Sequence, residues 1–254
     1  MKDRMKKENL VGAIIQARYD SNRLIGKVFK QIEGKTVLEH IVNKIKTSNK
    51  VDYVIVATSD EDIDKQITDF CKKKKIIYFS ADKNDVLARY YKCAIHFKLD
   101  TIIRITADNP LIDVDIMNTA LIKFNEGYNY VANNIKKTFP HGLDLEIIDF
   151  QSLEKSFFNA KSSSFREHVT QYVRHNKDLF KTYNLLAKNN YHHIRVTLDT
   201  EEDLKVIKEV VSKSSINVTF DELIDVFRNN KHLLKINNIS KIDHKLYNSK
   251  NNIV

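Results

Sequence analysis

Residues 13–27 read Ala13-Ile-Ile-Gln16-Ala17-Arg18-Tyr-Asp-Ser21-Asn-Arg23-Leu-Ile-Gly26-Lys27. A short apolar run passes directly into a polar loop carrying three cations, a hydroxyl and one glycine. Such a run is typical of a buried parallel strand. The loop leaving the carboxyl end of such a strand is where open α/β sheets bind ligands. Arginine forks onto phosphate oxygens, lysine acts as a point charge, and glycine lets the backbone come close. The set suits a triphosphate, with Arg18, Arg23 and Lys27 as counter-charges. A solvated basic loop is the rival reading.

A second segment, Ile102-Ile-Arg104-Ile-Thr106-Ala-Asp108-Asn-Pro110-Leu, delivers a carboxylate at the carboxyl end of another apolar strand. Pro110 fixes the turn after it. Asp108 is placed to hold Mg²⁺ against a triphosphate, or else serves as a turn residue. In Arg195-Val-Thr-Leu-Asp199-Thr200-Glu-Glu-Asp203, Asp199 likewise ends an apolar run before a helix. Their separation in sequence is no obstacle to Asp108 and Asp199 meeting if both strands end on one sheet edge; the competing role of Asp199 or Thr200 is helix capping. Glu201, Glu202 and Asp203 suit the helix dipole.

The elements that must position these groups follow from periodicity. Strands are predicted at Gly12–Gln16, Val51–Thr58, Ile76–Phe79 and Thr101–Ile105. Helices are predicted after Thr36 (a capping box with Glu39), after Ser59 with Ile63, Ile67 and Phe70 facing inward, from Asn84 or Asp85, and over Val114–Phe124 behind the cap Asp113. The alternation implies an α/β fold with a doubly wound, mostly parallel sheet. After Tyr130 the rhythm changes. Strands are predicted at Tyr130–Ala132, Leu143–Ile148, Phe180–Leu186 and His193–Leu198. Helices are predicted at Phe150–Ala160, Arg166–His175, from Thr200 through Val211, and at Phe220–Arg228. Residues of about 130–190 form a small inserted α+β lobe in this reading, within one domain over 11–230, with 1–10 and 231–254 as terminal extensions.

The chain has 254 residues, 42 Lys and Arg against 33 Asp and Glu, and a net charge of +9. That balance suits polyanionic small substrates as well as nucleic acid. No arginine-rich stripe with interleaved aromatics is present, so nucleic-acid binding is not expected. Much of the excess lies at Lys72–Lys75, Lys136-Lys137 and Lys241–Lys250. Cys71 and Cys93 lack metal or redox spacing and read as buried free thiols in a reducing compartment. No run reaches 18 apolar residues, and the first nine residues lack the apolar core of a signal peptide, so a cytoplasmic protein without membrane insertion is expected. No Gly-x-Ser-x-Gly elbow or Walker A sequence occurs, which favours direct transfer over protein nucleophilic catalysis.

The order Gln16-Ala17-Arg18-x-x-Ser21-x-Arg23-Leu24-x-Gly26-Lys27 resembles the nucleotide-binding signature of the CMP-sugar synthetases, the cytidylyltransferases that activate Kdo and acylneuraminates. Ile25 stands where that family usually has proline. Asn84-Asp85-Val-Leu-Ala-Arg89-Tyr resembles the motif of the SpsF-like spore-coat polysaccharide branch, as do Pro140-His141-Gly142-Leu143-Asp144-Leu145-Glu146 and Arg166-Glu167-His168-Val169-Thr170. Thr106-Ala107-Asp108 resembles the family's metal motif, with Ala107 in place of the usual glycine.

The resemblance implies a Rossmann-like nucleotidyltransferase fold and transfer of CMP from CTP to a small anionic acceptor, a sugar acid or a phosphate or phosphonate, with pyrophosphate released. Arg18, Lys27, Asp108 and Asp199 would be catalytic, and Mg²⁺ would sit on Asp108 and Asp199. Ala13, Gln16, Ala17, Ser21, Arg23, Asp85, Arg89 and Thr106 would line the nucleotide, and backbone near Ala13–Ala17 would read the base. For Asp85 and Arg89 an i,i+4 ion pair is the rival. His141, Asp144, Glu146, Arg166, Glu167 and His168 would hold the acceptor, His168 or Glu146 taking its proton. The rival there is an arginine–carboxylate network holding the lobe together. A homodimer through the lobe is implied, with Phe157, Phe158, Phe165 and Tyr172 as its apolar surface or as the lobe's own core. Other functions also fit the fold: a nucleotidyltransferase using another NTP, a glycosyltransferase-like protein reading Asp113-Val-Asp115, or a binding module.

Overall fold

The computed structural model describes residues 9–21 and 23–237. The expected leader over residues 1–8, the lysines at 241–250 and the rest of the end from 238 lie outside the described residues. The first half alternates strands and helices: β1 (Val11–Gln16), a small hairpin of β2 (Gln31–Ile32) and β3 (Lys35–Thr36), α1 (Val37–Ile45), β4 (Tyr53–Ser59), α2 (Lys65–Lys74), β5 (Ile77–Ala81), α3 (Val86–His96), β6 (Thr101–Thr106) and α4 (Val114–Phe124). The second half adds β7 (Tyr130–Ala132), β8 (Glu146–Asp149), α5 (Phe150–Asn159), α6 (Ser163–Glu167), α7 (Gln171–His175), β9 (Thr182–Asn184), α8 (Glu201–Lys213), α9 (Phe220–Asn229) and α10 (Leu233–Ile236).

The main sheet has seven strands in the order β5-β4-β1-β6-β8-β7-β9. Strand β8 alone runs against its neighbours β6 and β7. The strands after Tyr130 therefore extend the main sheet. Alternation along each strand feeds two cores. Ala13, Ile15, Val56 and Ile103 pack with α1, α4, α8 and α9 on one face. Ile14, Ile55, Ile102 and Tyr130 pack with α3, α5 and α7 on the other. Both faces are covered, which is why the central strands read as unbroken apolar runs.

Local signals fix most boundaries. Thr36 and Glu39 form the capping box of α1, and Thr200 with Asp203 that of α8. Asp113 caps α4 by accepting from Asp115 and Ile116. Asp85 caps α3.

Several expectations change. Ile63 lies in a short 3-10 turn (Asp62–Asp64) ahead of α2 and is 40% exposed, not inward-facing. The predicted helix over 166–175 is two, α6 and α7, broken where Val169 takes φ 45°. The predicted strand at 143–148 shortens to β8, and that at 180–186 to β9. The segment 193–198 is extended but joins no ladder; its one bridge pairs Arg195 with His141. Residues 231–237 belong to the domain: Leu233 is fully buried and α10 packs on α8. Phe157, Phe165 and Tyr172 pack against the second core, whereas Phe158 is exposed. Among the described residues no helix is long and apolar enough to cross a membrane.

Candidate active site

From β1 the chain proceeds to β4 and β5 on one side; β6 then returns to its other side. The carboxyl ends of β1 and β6 therefore flank a topological switch point, where a crevice opens. The loop after β1 is folded tightly there. Tyr19 donates its amide to buried Asp64 (2.7 Å). The Tyr19 carbonyl accepts from Ser21 (2.9 Å) and Gly26 (2.8 Å). Gly26 takes φ 66°, and a β-carbon there would lie 3.1 Å from the Tyr19 ring. This left-handed step starts the short helix Lys27–Phe29. Ile25, beside Gly26, is exposed.

Lys27 is the centre of the arrangement. Its Nζ donates to Asp108 Oδ2 and to Asp199 Oδ1, each at 2.9 Å. The two carboxylates, far apart in sequence, thus meet on one ammonium. Arg23 adds a contact to Asp199 Oδ2 at 2.7 Å. Asp108 is steadied from the other side by the Thr106 hydroxyl (2.5 Å). Asp199 is steadied by Arg195 (2.9 Å), whose other bonds go to Asp203 (2.8 and 3.1 Å) and His141 Nδ1 (3.0 Å). Burial pushes the Asp199 carboxyl up, but Lys27, Arg23 and Arg195 outweigh it and hold it at about 2. Burial likewise pulls Lys27 down, yet the two carboxylates raise it above the ordinary lysine value. Both partners are charged at neutral pH.

This pair fits a small hard cation. Two carboxylate oxygens already converge on one cationic group, and Mg²⁺ is commonly held by one or two carboxylates with substrate phosphates completing its shell. Among the described residues no group of three or more His, Cys, Asp or Glu is arranged to hold a metal ion. Ala107 is not among the left-handed residues, so this backbone does not need the glycine of the related motif.

The cleft over this centre has a volume of about 910 Å³, in the range of small-ligand sites. Gln16, Ala17, Arg18, Ser21, Arg23, Lys27, Arg89, Thr106, Asp108, Glu167, His168 and Asp199 line it. Ala13 is instead buried in the core of β1. Asp85 and Arg89 do not form the i,i+4 pair of the rival reading, and of the two only Arg89 lines the cleft. Asp85 accepts from Arg166, which also stacks on the Phe157 ring. Arg166 is thus tied to α3 and α5 outside the cleft lining. Arg89 is 3% exposed, donates to the Lys83 carbonyl (3.2 Å), and leaves its Nε without a partner.

Glu146 is a correction. It does not face the cleft but is buried between Arg104 (2.7 Å), the Tyr130 hydroxyl (2.9 Å), the Thr170 hydroxyl (3.1 Å) and Arg174. The antiparallel register that opposes Arg104 to Glu146 puts both on one face. Burial raises its carboxyl, but the two arginines outweigh this and hold it at about 2. His141 and Asp144 stand beside the centre, 4.0 Å apart. Burial lowers His141 to about 4, with Arg195 adding to the shift, so the ring is neutral and accepts from Arg195 at Nδ1. Burial raises Asp144 to about 6, with Glu146 and Asp108 adding and Lys137 opposing. Sequence reasoning gave no role to Arg104, Lys83, Asn84 or Ser163, which also line the cleft, nor to Arg195. Arg195 stands four residues before Asp199, but no strand or helix period links the two.

A model of the cytidylyltransferase family matches residues 12–242. The chain belongs to that family. It is a nucleotidyltransferase. A cytidylyltransferase structure from Leptospira borgpetersenii is similar at TM-score 0.86 and 31% identity, covering 91% of this chain and 99% of that one. The spore coat polysaccharide biosynthesis protein SpsF of Bacillus subtilis is 31% identical over 229 residues, 85% of this chain and 93% of that protein. A 3-deoxy-manno-octulosonate cytidylyltransferase of Fusobacterium nucleatum is 39% identical over 124 residues, about half of each chain (48% and 49%).

Proposed function

We propose that this cytidylyltransferase transfers CMP from CTP to a small anionic acceptor of the sugar-acid class, in the synthesis of a surface polysaccharide or glycoconjugate precursor. The observation that carries the reading is the meeting of Asp108, Asp199, Lys27 and Arg23 at the mouth of the β1–β6 crevice. The name of the octulosonate enzyme supports the acceptor class, and that of SpsF the polysaccharide setting.

An acceptor oxygen attacks the α-phosphorus of CTP, the bond to the bridging oxygen breaks, and pyrophosphate leaves with the electron pair. Arg18, Arg23 and Lys27 bind the triphosphate and neutralise the charge that grows on the leaving group. Asp108 and Asp199 would hold Mg²⁺, which supplies Lewis-acid charge neutralisation at the phosphates. Gln16, Ala17 and Arg89 border the nucleoside end. Arg89, a buried guanidinium without a carboxylate partner, is suited to an acceptor edge of the ligand. Glu146 is locked to two arginines, so His168 at the cleft wall is the candidate to take the acceptor proton. The test is pyrophosphate release with CTP and a panel of sugar acids, phosphates and phosphonates, with products identified by mass. CMP-linked product that disappears in Asp108→Asn supports the reading; CTP turnover to no nucleotidylated product opposes it.

A further inference from the structure

Lys27 and Arg23 occupy the carboxylates that the divalent cation needs, while those carboxylates occupy the cations that the triphosphate needs. We propose that Lys27 is a two-station counter-ion. It neutralises Asp108 and Asp199 before loading and passes to the triphosphate when a divalent cation takes over the carboxylates. The proposal rests on the reading of the cleft as a metal–nucleoside triphosphate site.

The charge balance makes the exchange necessary. Lys27 Nζ sits 2.9 Å from both carboxylates, and Arg23 reaches the second at 2.7 Å. Arg195 also contacts Asp199, but Asp203 already engages it. A divalent cation arriving alone must displace Lys27, leaving an ammonium only 11% exposed without an anion. A triphosphate arriving alone must draw Lys27 away and lie beside two uncompensated carboxylates. Each entry separates a buried or half-buried ion pair, which is costly. Arriving together, every charge is paired again. The coupling is reciprocal, as linkage requires.

The local structure allows the side chain to move while the backbone stays. The Lys27 amide donates to the Leu24 carbonyl (3.2 Å), and its carbonyl accepts from Lys30 (3.1 Å). A compact ammonium on a flexible four-carbon stem suits two stations, whereas a planar guanidinium fork is matched to one geometry.

The test uses the full chain and calorimetry with Mn²⁺ alone, CTP alone in EDTA, and both. Asp108→Asn is expected to tighten metal-free CTP binding about three- to tenfold, because it frees Lys27 and removes a repelling charge, while abolishing the gain from Mn²⁺. Lys27→Met is expected to tighten Mn²⁺ binding without nucleotide about tenfold; Lys27→Gln repeats that arm if Met disturbs folding. Unchanged or weaker metal-free CTP binding in Asp108→Asn, or unchanged Mn²⁺ binding in both Lys27 variants, overturns the proposal. Wild type that binds no nucleoside triphosphate under any condition overturns the nucleotidyltransfer reading instead, and the Mn²⁺ arm still decides the role of Lys27.

Discussion

Gly142 lies so close to Thr197 that a β-carbon on it would sit 2.5 Å from the Thr197 amide nitrogen. Gly142 also takes φ 115°, a conformation side chains resist. His141 beside it exchanges two backbone bonds with the extended segment before Asp199, to Ile194 (2.9 Å) and from Val196 (2.7 Å). This contact of two bare chains places Asp199 two residues further on. Gly142→Ala is expected to destabilise by about 2 kcal/mol or more through overpacking and backbone strain. Urea denaturation measures the loss; a midpoint equal to wild type would contradict it.

Glu146 in β8 ties β6 to α7 through Arg104 and Arg174. Removing one partner of a buried pair strands the others, so Glu146→Ala should cost on the order of 3–5 kcal/mol. Glu146 and Asp199 are both held at about 2, below their ordinary 4.5 and 3.8. For depressed carboxyls the stability is complete above the ordinary value and is lost as pH falls through the folded one. The urea midpoint should therefore fall from about pH 4.5 towards pH 2. Glu146→Gln should flatten part of that slope. A slope unchanged in the variant would show that Glu146 is not a source of it.

The neutral ring of His141 takes one arm of Arg195, whose other bonds hold Asp199 and Asp203. His141→Asn keeps an acceptor side chain and should stay near wild type. His141→Leu leaves a buried donor unpaired, at about 1–3 kcal/mol, and should weaken Mg²⁺-dependent CTP binding by loosening Asp199. Equal behaviour of the two variants in denaturation and binding would mean that the His141–Arg195 bond does not matter.

The fold was legible where local chemistry decides it. Asp113 and the spacing after it place α4 to the residue, and apolar runs mark β1 and β6 because both their faces are buried. The break between α6 and α7 was hidden, since Val169 is β-branched and neither Gly nor Pro announces a left-handed step. Segment 193–198 has a strand's composition, but its long-range backbone partners are the Asp108 carbonyl and the amide and carbonyl of His141. Within the site, the meeting of Asp108 with Asp199 was expected from strand ends, yet only Asp108 follows a sheet strand; Asp199 is brought there by an extended segment outside the ladders. The inward turn of Glu146 did not, because it depends on the β6–β8 register, which no spacing along one strand reveals. The dual engagement of Lys27 is equally a tertiary fact: its partners lie 81 and 172 residues away.

As a cytidylyltransferase site, the cleft is expected to select CTP together with a divalent cation. Thermal unfolding with CTP, UTP, GTP and ATP, each with and without Mg²⁺, on wild type and Asp108→Ala, tests it most directly. A ligand bound only by the native state stabilises by about 2.7 kcal/mol at a hundred times its dissociation constant. The expected result is a CTP-selective shift in wild type whose Mg²⁺-dependent part disappears in Asp108→Ala. No shift with any nucleotide, or an equal shift with all four that Asp108→Ala leaves intact, would contradict it.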